Sequence, residues 1–242
     1  MPLTAHLEEL RWRLILAVGA VVIAAAIAYL AVDDLLKFLT APLLALGEKV
    51  QIIGTGLAEA FFTKLKVAVI AGVFLASPVV LFQIWRFVEP GLHESEKKYV
   101  KPFVFFGTLF FVSGAAFCYR YVFPSAFGFF IEQYKTIEIA PFIRLTEYLS
   151  FASRMLLAFG VVFELPVFTF FFARTGMVTH RQMIAWWRYA VIVIFVVAAV
   201  LTPGPDVASQ MLMAAPLLFL YVVSIGVAYL FARIPKPADP EA

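Results

Sequence analysis

Glu164 is the residue of this 242-residue chain whose surroundings most need a chemical explanation. It stands in the run Phe159-Gly160-Val161-Val162-Phe163-Glu164-Leu165-Pro166, where every neighbour is apolar. A charged side chain at the centre of a membrane helix costs about 2.5–3.5 kcal/mol on insertion scales, so a carboxyl placed there faces a cavity or a protein partner. Pro166 has no N–H to give the carbonyl of Val162, and a bend is expected beside the acid. Two readings stay open: a polar contact within a binding cavity, or a packing glutamate bonded to a neighbouring helix.

Three other groups carry charge or polarity at telling spacings. In Thr4-Ala5-His6-Leu7-Glu8-Glu9-Leu10-Arg11-Trp12-Arg13, the leucines at 3, 7, 10 and 14 share one helical face and the charges occupy the others. This reads as an amphipathic helix at a membrane surface. Glu9 either pairs with Arg13 four residues on or receives a cation from elsewhere. Further along, Glu94 has Lys98 at helical spacing whereas Glu96 has only Val100, which leaves Glu96 freer to bind an outside cation. In Thr202-Pro203-Gly204-Pro205-Asp206-Val207-Ala208-Ser209-Gln210 the prolines and glycine force a tight turn. Asp206 can cap the helix that follows, and Gln210 is a candidate polar contact within the membrane.

Catalytic patterns are missing from the sequence. His6, His93 and His180 are scattered, and no His/Cys/Asp/Glu group has metal-ligand spacing, so neither a metal nor a cofactor is expected. Ser77-Pro78 and Ser113-Gly114 lie in apolar runs without a base at their depth, which suits helix packing better than hydrolysis. Cys118 has no partner for a disulfide and reads as a small packing residue. The chain is not expected to be an enzyme.

The elements that position these groups follow from composition. With 63% hydrophobic and 14% charged residues, against roughly 45–50% and about a quarter in soluble domains, the surface of this chain cannot face water. A net charge of +3 is too small for its length to suggest nucleic-acid binding. The expected fold is all-α: one integral membrane domain over 1–242, with six crossings at about 14–32, 65–85, 102–123, 149–172, 189–201 and 211–232. Residues 1–13 form the amphipathic segment and 233–242 a tail. The fifth crossing is only about 20 Å long, short for a bilayer.

Lysines and arginines orient the chain. Arg11, Arg13, Arg86, Lys97, Lys98, Lys101, Arg174, Arg181, Arg188, Arg233 and Lys236 fall on one side, against Lys37, Lys49, Lys64, Lys135 and Arg144 on the other. Both termini are therefore expected in the cytoplasm. Trp12, Trp85, Trp186 and Trp187 fall at the cytoplasmic helix ends, where indole rings anchor. The outer loops, Asp33 to Lys64 and Pro124 to Tyr148, mix aromatic and charged residues in a pattern suited to short interfacial helices forming a cap. The two halves of the chain show no internal repeat of the kind many secondary transporters carry.

Taken together and in order, His6-Leu7-Glu8-Glu9-Leu10-Arg11-Trp12-Arg13, Ser77-Pro78 with Gln83-Ile84-Trp85-Arg86-Phe87, Glu96-Lys97-Lys98, Phe159 to Pro166, and Leu201-Thr202-Pro203 with Asp206 and Ser209-Gln210 resemble the TatC family of twin-arginine protein translocation. The resemblance covers essentially the whole chain. Two departures stand out: Gly204 lengthens the usual proline–aspartate turn, and Ser95 takes a place where many members carry histidine.

The resemblance implies a concave six-helix receptor in the cytoplasmic membrane of a prokaryote. It would bind signal peptides of folded precursors that bear two adjacent arginines, and recruit TatA/TatB-type single-helix subunits. Several copies would assemble, and export would draw on the proton-motive force. Carried over by position, Glu9 and Glu96 contact the arginine pair, with Phe87 and Arg13 beside them. Glu164, Asp206 and Gln210 are the intramembrane and partner contacts, and Pro42 and Phe61 match important positions in the first outer loop. Carboxylates suit this task because guanidinium pairs with them bidentately and ammonium does not. The competing reading is a proton-coupled small-molecule transporter with Glu164 as its proton site. An intramembrane hydrolase lacks both nucleophile and base.

Overall fold

The computed structural model describes residues 3–47, 50–88, 100–202 and 207–232. An apolar chain in a bilayer has no water to satisfy its backbone, so each long apolar run closes its hydrogen bonds internally as helix. The helices are α1 (Leu3–Tyr29), α2 (Val32–Leu44), α3 (Glu59–Val88), α4 (Val100–Phe117), α5 (Phe123–Thr136), α6 (Leu145–Phe163), α7 (Leu165–Arg174), α8 (His180–Ala185), α9 (Trp187–Leu201) and α10 (Val207–Phe231). Five helical stretches are long and apolar enough to cross a membrane: His6–Tyr29, Glu59–Val88, Lys101–Thr136, Leu145–Arg174 and Val207–Phe231. Trp187–Leu201 is apolar but shorter. Large apolar side chains cover the outside, among them Leu14, Ile23, Phe219 and Leu230, as a lipid-facing surface requires. This is a polytopic membrane protein.

Several expectations change at the level of the elements. Residues 3–13 do not form a separate surface helix but continue directly into the first crossing as α1. The stretch expected at 149–172 divides at Glu164, with α6 ending at Phe163 and α7 starting at Leu165 with Pro166 in its first turn. Trp85 is not an interfacial anchor: it is buried against Phe103 and Phe171, whereas Trp12, Trp186 and Trp187 are exposed. Between α4 and α5 the chain takes a π-helical turn, Cys118–Val122, that buries Cys118 and Val122.

Helix α1 runs along α3 and packs tightly against it at Gly72. A Cβ on Gly72 would stand 2.7 Å from the Ala25 backbone nitrogen, so the contact requires glycine. The main core is assembled from Phe123, Leu149, Met155, Phe159, Met213 and Leu217, which joins α5, α6 and α10. The two loops on the side away from the N-terminus hold α2 and most of α5. They are tied by a parallel pair of strands, β1 (Gln51–Ile53) and β2 (Phe142–Arg144), with Gln51 opposite Phe142 and Ile53 opposite Arg144. No periodicity in the sequence announced that sheet.

Prolines inside helices leave carbonyls without donors, and hydroxyl groups fill two of these gaps. Pro78 withdraws the N–H that Phe74 would receive, and Ser77 Oγ donates to Phe74 O at 2.7 Å. Pro42 does the same to Phe38, whose carbonyl receives Tyr119 Oη at 2.8 Å.

Candidate functional site

At the N-terminal end of α1, the amphipathic spacing sets Glu9 and Arg13 one turn apart, and they form an ion pair. Arg13 Nε donates to Glu9 Oε1 at 3.0 Å, and Nη2 donates to the same oxygen. Arg13 Nη1 reaches across to Gln83 Oε1 on α3 at 3.4 Å. Close by, His6 stacks on Phe87 with ring centroids 4.3 Å apart and planes 17° from parallel. These five residues knit the start of α1 to the end of α3. Around them Glu8, Glu9, Arg11, Trp12 and Ile15 line an open cleft of about 440 Å³.

Both contacts from Arg13 go to one oxygen of Glu9. The other oxygen, Oε2, accepts no hydrogen bond among the described residues. The carboxylate is thus held in one orientation with half of its acceptor capacity open, an arrangement suited to receiving a guanidinium. Glu96 lies outside the described residues.

Glu164 occupies the break between α6 and α7, where its N–H donates to the Val161 carbonyl at 3.1 Å. Its side chain is 4% exposed and packs between α3 and α4 rather than standing in an open cavity. Gly107 of α4 makes the room: a Cβ there would lie 3.2 Å from Glu164 Oε2 and 3.1 Å from Leu81 Cδ1. Neither carboxyl oxygen has a hydrogen-bond partner among the described residues. A buried carboxyl left without a partner is rare in folded proteins and calls for an explanation.

Gln210 sits near the start of α10, where Nε2 donates to the Phe195 carbonyl at 2.9 Å and clips α9 to α10. Asp206 lies outside the described residues. Pro42 is half-buried within α2, and Phe61 is exposed at the start of α3, edge-on to Phe62 with centroids 5.5 Å apart.

The candidate residues therefore occupy separate levels of the molecule. Glu9, Arg13 and Phe87 come together at the N-terminal end, Glu164 is buried among the helices, Gln210 joins the last two helices, and Pro42 and Phe61 stand on the far side. Gln83 and His6 belong with the first group, although only their place in the motif pointed to them. The far side also holds a clamp that the sequence did not announce. Glu59 Oε2 accepts from Thr55 N at 2.6 Å and Gly56 N at 2.9 Å, while Oε1 accepts from Thr146 N at 3.0 Å and Thr146 Oγ1 at 2.7 Å. Arg144 Nη2 donates to Thr55 Oγ1 at 2.9 Å and closes the ring between the loops. Among the described residues, no group of three His, Cys, Asp or Glu side chains is placed to hold a metal ion.

Comparison with known proteins bears on the whole chain. The profile of the family described as Sec-independent protein translocase protein (TatC) matches residues 5–216. The Sec-independent protein translocase protein TatC of Desulforapulum autotrophicum is 46% identical over 99% of this chain and 88% of its own length. That of Carboxydothermus hydrogenoformans is 45% identical over 94% of this chain and 93% of its own. A crystal structure of the twin-arginine translocase receptor TatC superposes with a TM-score of 0.85 at 35% identity, covering 94% of this chain and all of the other.

Proposed function

This chain belongs to the TatC family of Sec-independent protein translocase proteins, and from that premise we propose how it works as the core receptor subunit of twin-arginine translocation. It binds the signal peptides of folded precursors at the N-terminal end of α1 and α3. It then nucleates assembly with TatA/TatB-type single-helix subunits, together with further copies of itself, in the cytoplasmic membrane of a prokaryote. Both termini face the cytoplasm in this reading. Transport draws on the proton-motive force and involves no catalytic chemistry by this chain.

The single observation that carries the reading is the half-open carboxylate of Glu9. Arg13 and Gln83 hold it in place, and Phe87 stands beside it under His6. One arginine of the signal peptide takes the free oxygen of Glu9, and the second pairs with Glu96. A pair of carboxylates discriminates planar, bidentate guanidinium groups from ammonium, which explains a requirement for arginine over lysine. Gln210, near the start of α10, and Asp206, just before that helix in sequence, supply polar contacts for partner helices, and Glu164 supplies the contact deeper in the bilayer. Pro42 and Phe61 shape the outer loop.

Binding of a twin-arginine signal peptide to the detergent-purified chain, compared with its Glu9→Ala and Glu96→Ala variants, tests the site. Loss of affinity in both is expected. Undiminished affinity in both overturns the assignment. The small-molecule transporter reading is not favoured, since the family match spans the chain; solute uptake by the reconstituted chain alone would restore it.

A further inference from the structure

Outside the site described above, the outer ends of α3 and α6 carry two cations, Lys66 and Arg154, that no carboxylate pairs with among the described residues. Lys66 Nζ donates to Ser150 Oγ at 2.7 Å, which places a lysine of α3 directly against α6. One turn beyond Ser150, Arg154 is exposed, and it makes no hydrogen bond or ion pair among the described residues. The nearby acids are already occupied: Glu59 by Thr55, Gly56 and Thr146, and Glu147 by Arg144 at 3.1 Å. Lys66 itself has a hydroxyl partner and no carboxylate among the described residues.

Depth sharpens the problem. Glu59 and Thr146 are hydrogen-bonded to one another, so the two helices start level. At ~1.5 Å per residue Lys66 and Arg154 then lie about 10 and 12 Å further in, at matching depth. Exposed apolar side chains lie beside and beyond them, Leu65 and Val69 next to Lys66 on α3 and Val161 two turns past Arg154 on α6. Cations at that level reach toward the headgroups or find an anion, because an unpaired charge against acyl chains is costly. Above them a cleft of about 600 Å³ opens, lined in part by Phe62, Lys66, Arg144 and the two acids Glu59 and Glu147, whose oxygens the loop hydroxyls and amides and Arg144 already engage.

We propose that Lys66 and Arg154 bind the phosphate of an anionic phospholipid of the outer leaflet. The headgroup enters the cleft beneath Arg144, and the acyl chains lie along Leu65, Val69 and Val161. Arg154 supplies paired donors to the phosphate oxygens, Lys66 adds a point charge, and the Ser150 hydroxyl stands between them. Charge complementarity selects the occupant: the patch is cationic and walled by apolar surface, which matches a lipid with a negative head and hydrocarbon tails.

Native mass spectrometry of the full chain, released from detergent micelles doped with phosphatidylglycerol or phosphatidylcholine, tests this. The unaltered protein should retain phosphatidylglycerol in preference. Lys66→Gln and Arg154→Gln should each weaken that preference about fivefold, the effect of removing one cation near a charged lipid. The charge-keeping Lys66→Arg should preserve it, Arg154→Lys should weaken it less than Arg154→Gln because the charge stays and the paired donors go, and Lys135→Gln at a distant cation that pairs with Glu132 should leave it unchanged. Equal retention of both lipids by the unaltered protein overturns the proposal. So does undiminished preference in both glutamine variants.

Discussion

Tyr119 donates its hydroxyl to the carbonyl of Phe38 at 2.8 Å, and that carbonyl is the one Pro42 leaves without a helical donor. The rings of the same two residues stack at 4.1 Å with their planes 8° apart. One residue along, Tyr148 Oη donates to the Leu39 carbonyl at 2.6 Å. Two tyrosines from different helical segments thus support the backbone of α2 where its proline weakens it. The π-helical turn that begins at Cys118 holds Tyr119 in register for this.

Tyr119→Phe keeps the ring and removes only the donor. It should lower stability by about 1 kcal/mol, because the Phe38 acceptor is left unsatisfied. In a Pro42→Ala background the restored N–H serves Phe38 instead, so the same substitution should have little effect. Thermal unfolding of the four proteins in detergent gives the coupling directly. Equal losses in both backgrounds would show that Pro42 and Tyr119 act independently.

The close approach of α1 and α3 makes a second pair of opposite outcomes. A Cβ at Gly72 would meet backbone and side-chain atoms of Ala25 at 2.7–2.8 Å, and backbone cannot swing aside. Gly72→Ala should therefore force the helices apart and cost about 1–3 kcal/mol, in the range of overpacked cores. At Gly226 in α10 an added Cβ meets nothing within 4 Å. Gly226→Ala should be neutral or stabilise by up to about 1 kcal/mol through helix propensity alone. The melting temperature should fall for Gly72→Ala and hold or rise for Gly226→Ala, and a comparable fall in both would count against this account of the α1–α3 contact.

How far these features can be read from sequence depends on their range. The crossings are legible because a bilayer leaves an apolar run no structure but helix. The break at Glu164 was expected as a bend, since Pro166 removes a donor at a fixed spacing. Three-residue strands carry no periodic signal, so the β1–β2 pair is invisible until the loops are seen together. Trp85 misled because an indole at a helix end reads as an anchor, and only the arrival of Phe103 and Phe171 from other helices shows it buried. Similarly, Glu164 announces itself as an intramembrane acid, but Gly107, which makes its room, is an ordinary helical glycine in sequence.

That last relationship is testable. Glu164→Gln retains the shape and polar character of the side chain, whereas Glu164→Lys drives a longer cation into the space beside Gly107 and Leu81. The glutamine variant should assemble in the membrane near normal levels and the lysine variant should not. Gly107→Ala should resemble a mild form of the lysine variant, and combining it with Glu164→Ala should relieve the crowding. Expression and export activity measured in parallel separate loss of fold from loss of the polar contact. Equal performance of Gln and Lys would indicate a water-filled site instead.

The ion pair of Glu9 and Arg13 gives the most direct test of signal-peptide recognition, because it separates a contacting residue from a positioning one. Glu9 offers its free oxygen, so Glu9→Gln should weaken a twin-arginine peptide about tenfold, the scale of one charged hydrogen bond. Arg13 acts through Glu9 by fixing its orientation and by bridging to Gln83. Arg13→Ala should therefore weaken binding less than Glu9→Gln, and it should have no further effect once Glu9 is replaced. Arg13→Lys should behave like Arg13→Ala, since ammonium cannot span both Glu9 and Gln83 with a planar fork. A purely structural role for Arg13 predicts equal losses with and without Glu9. A titration of the double variant against each single one decides between the two. Raising salt should diminish the difference between wild type and Glu9→Gln, because the contact lies at an accessible surface.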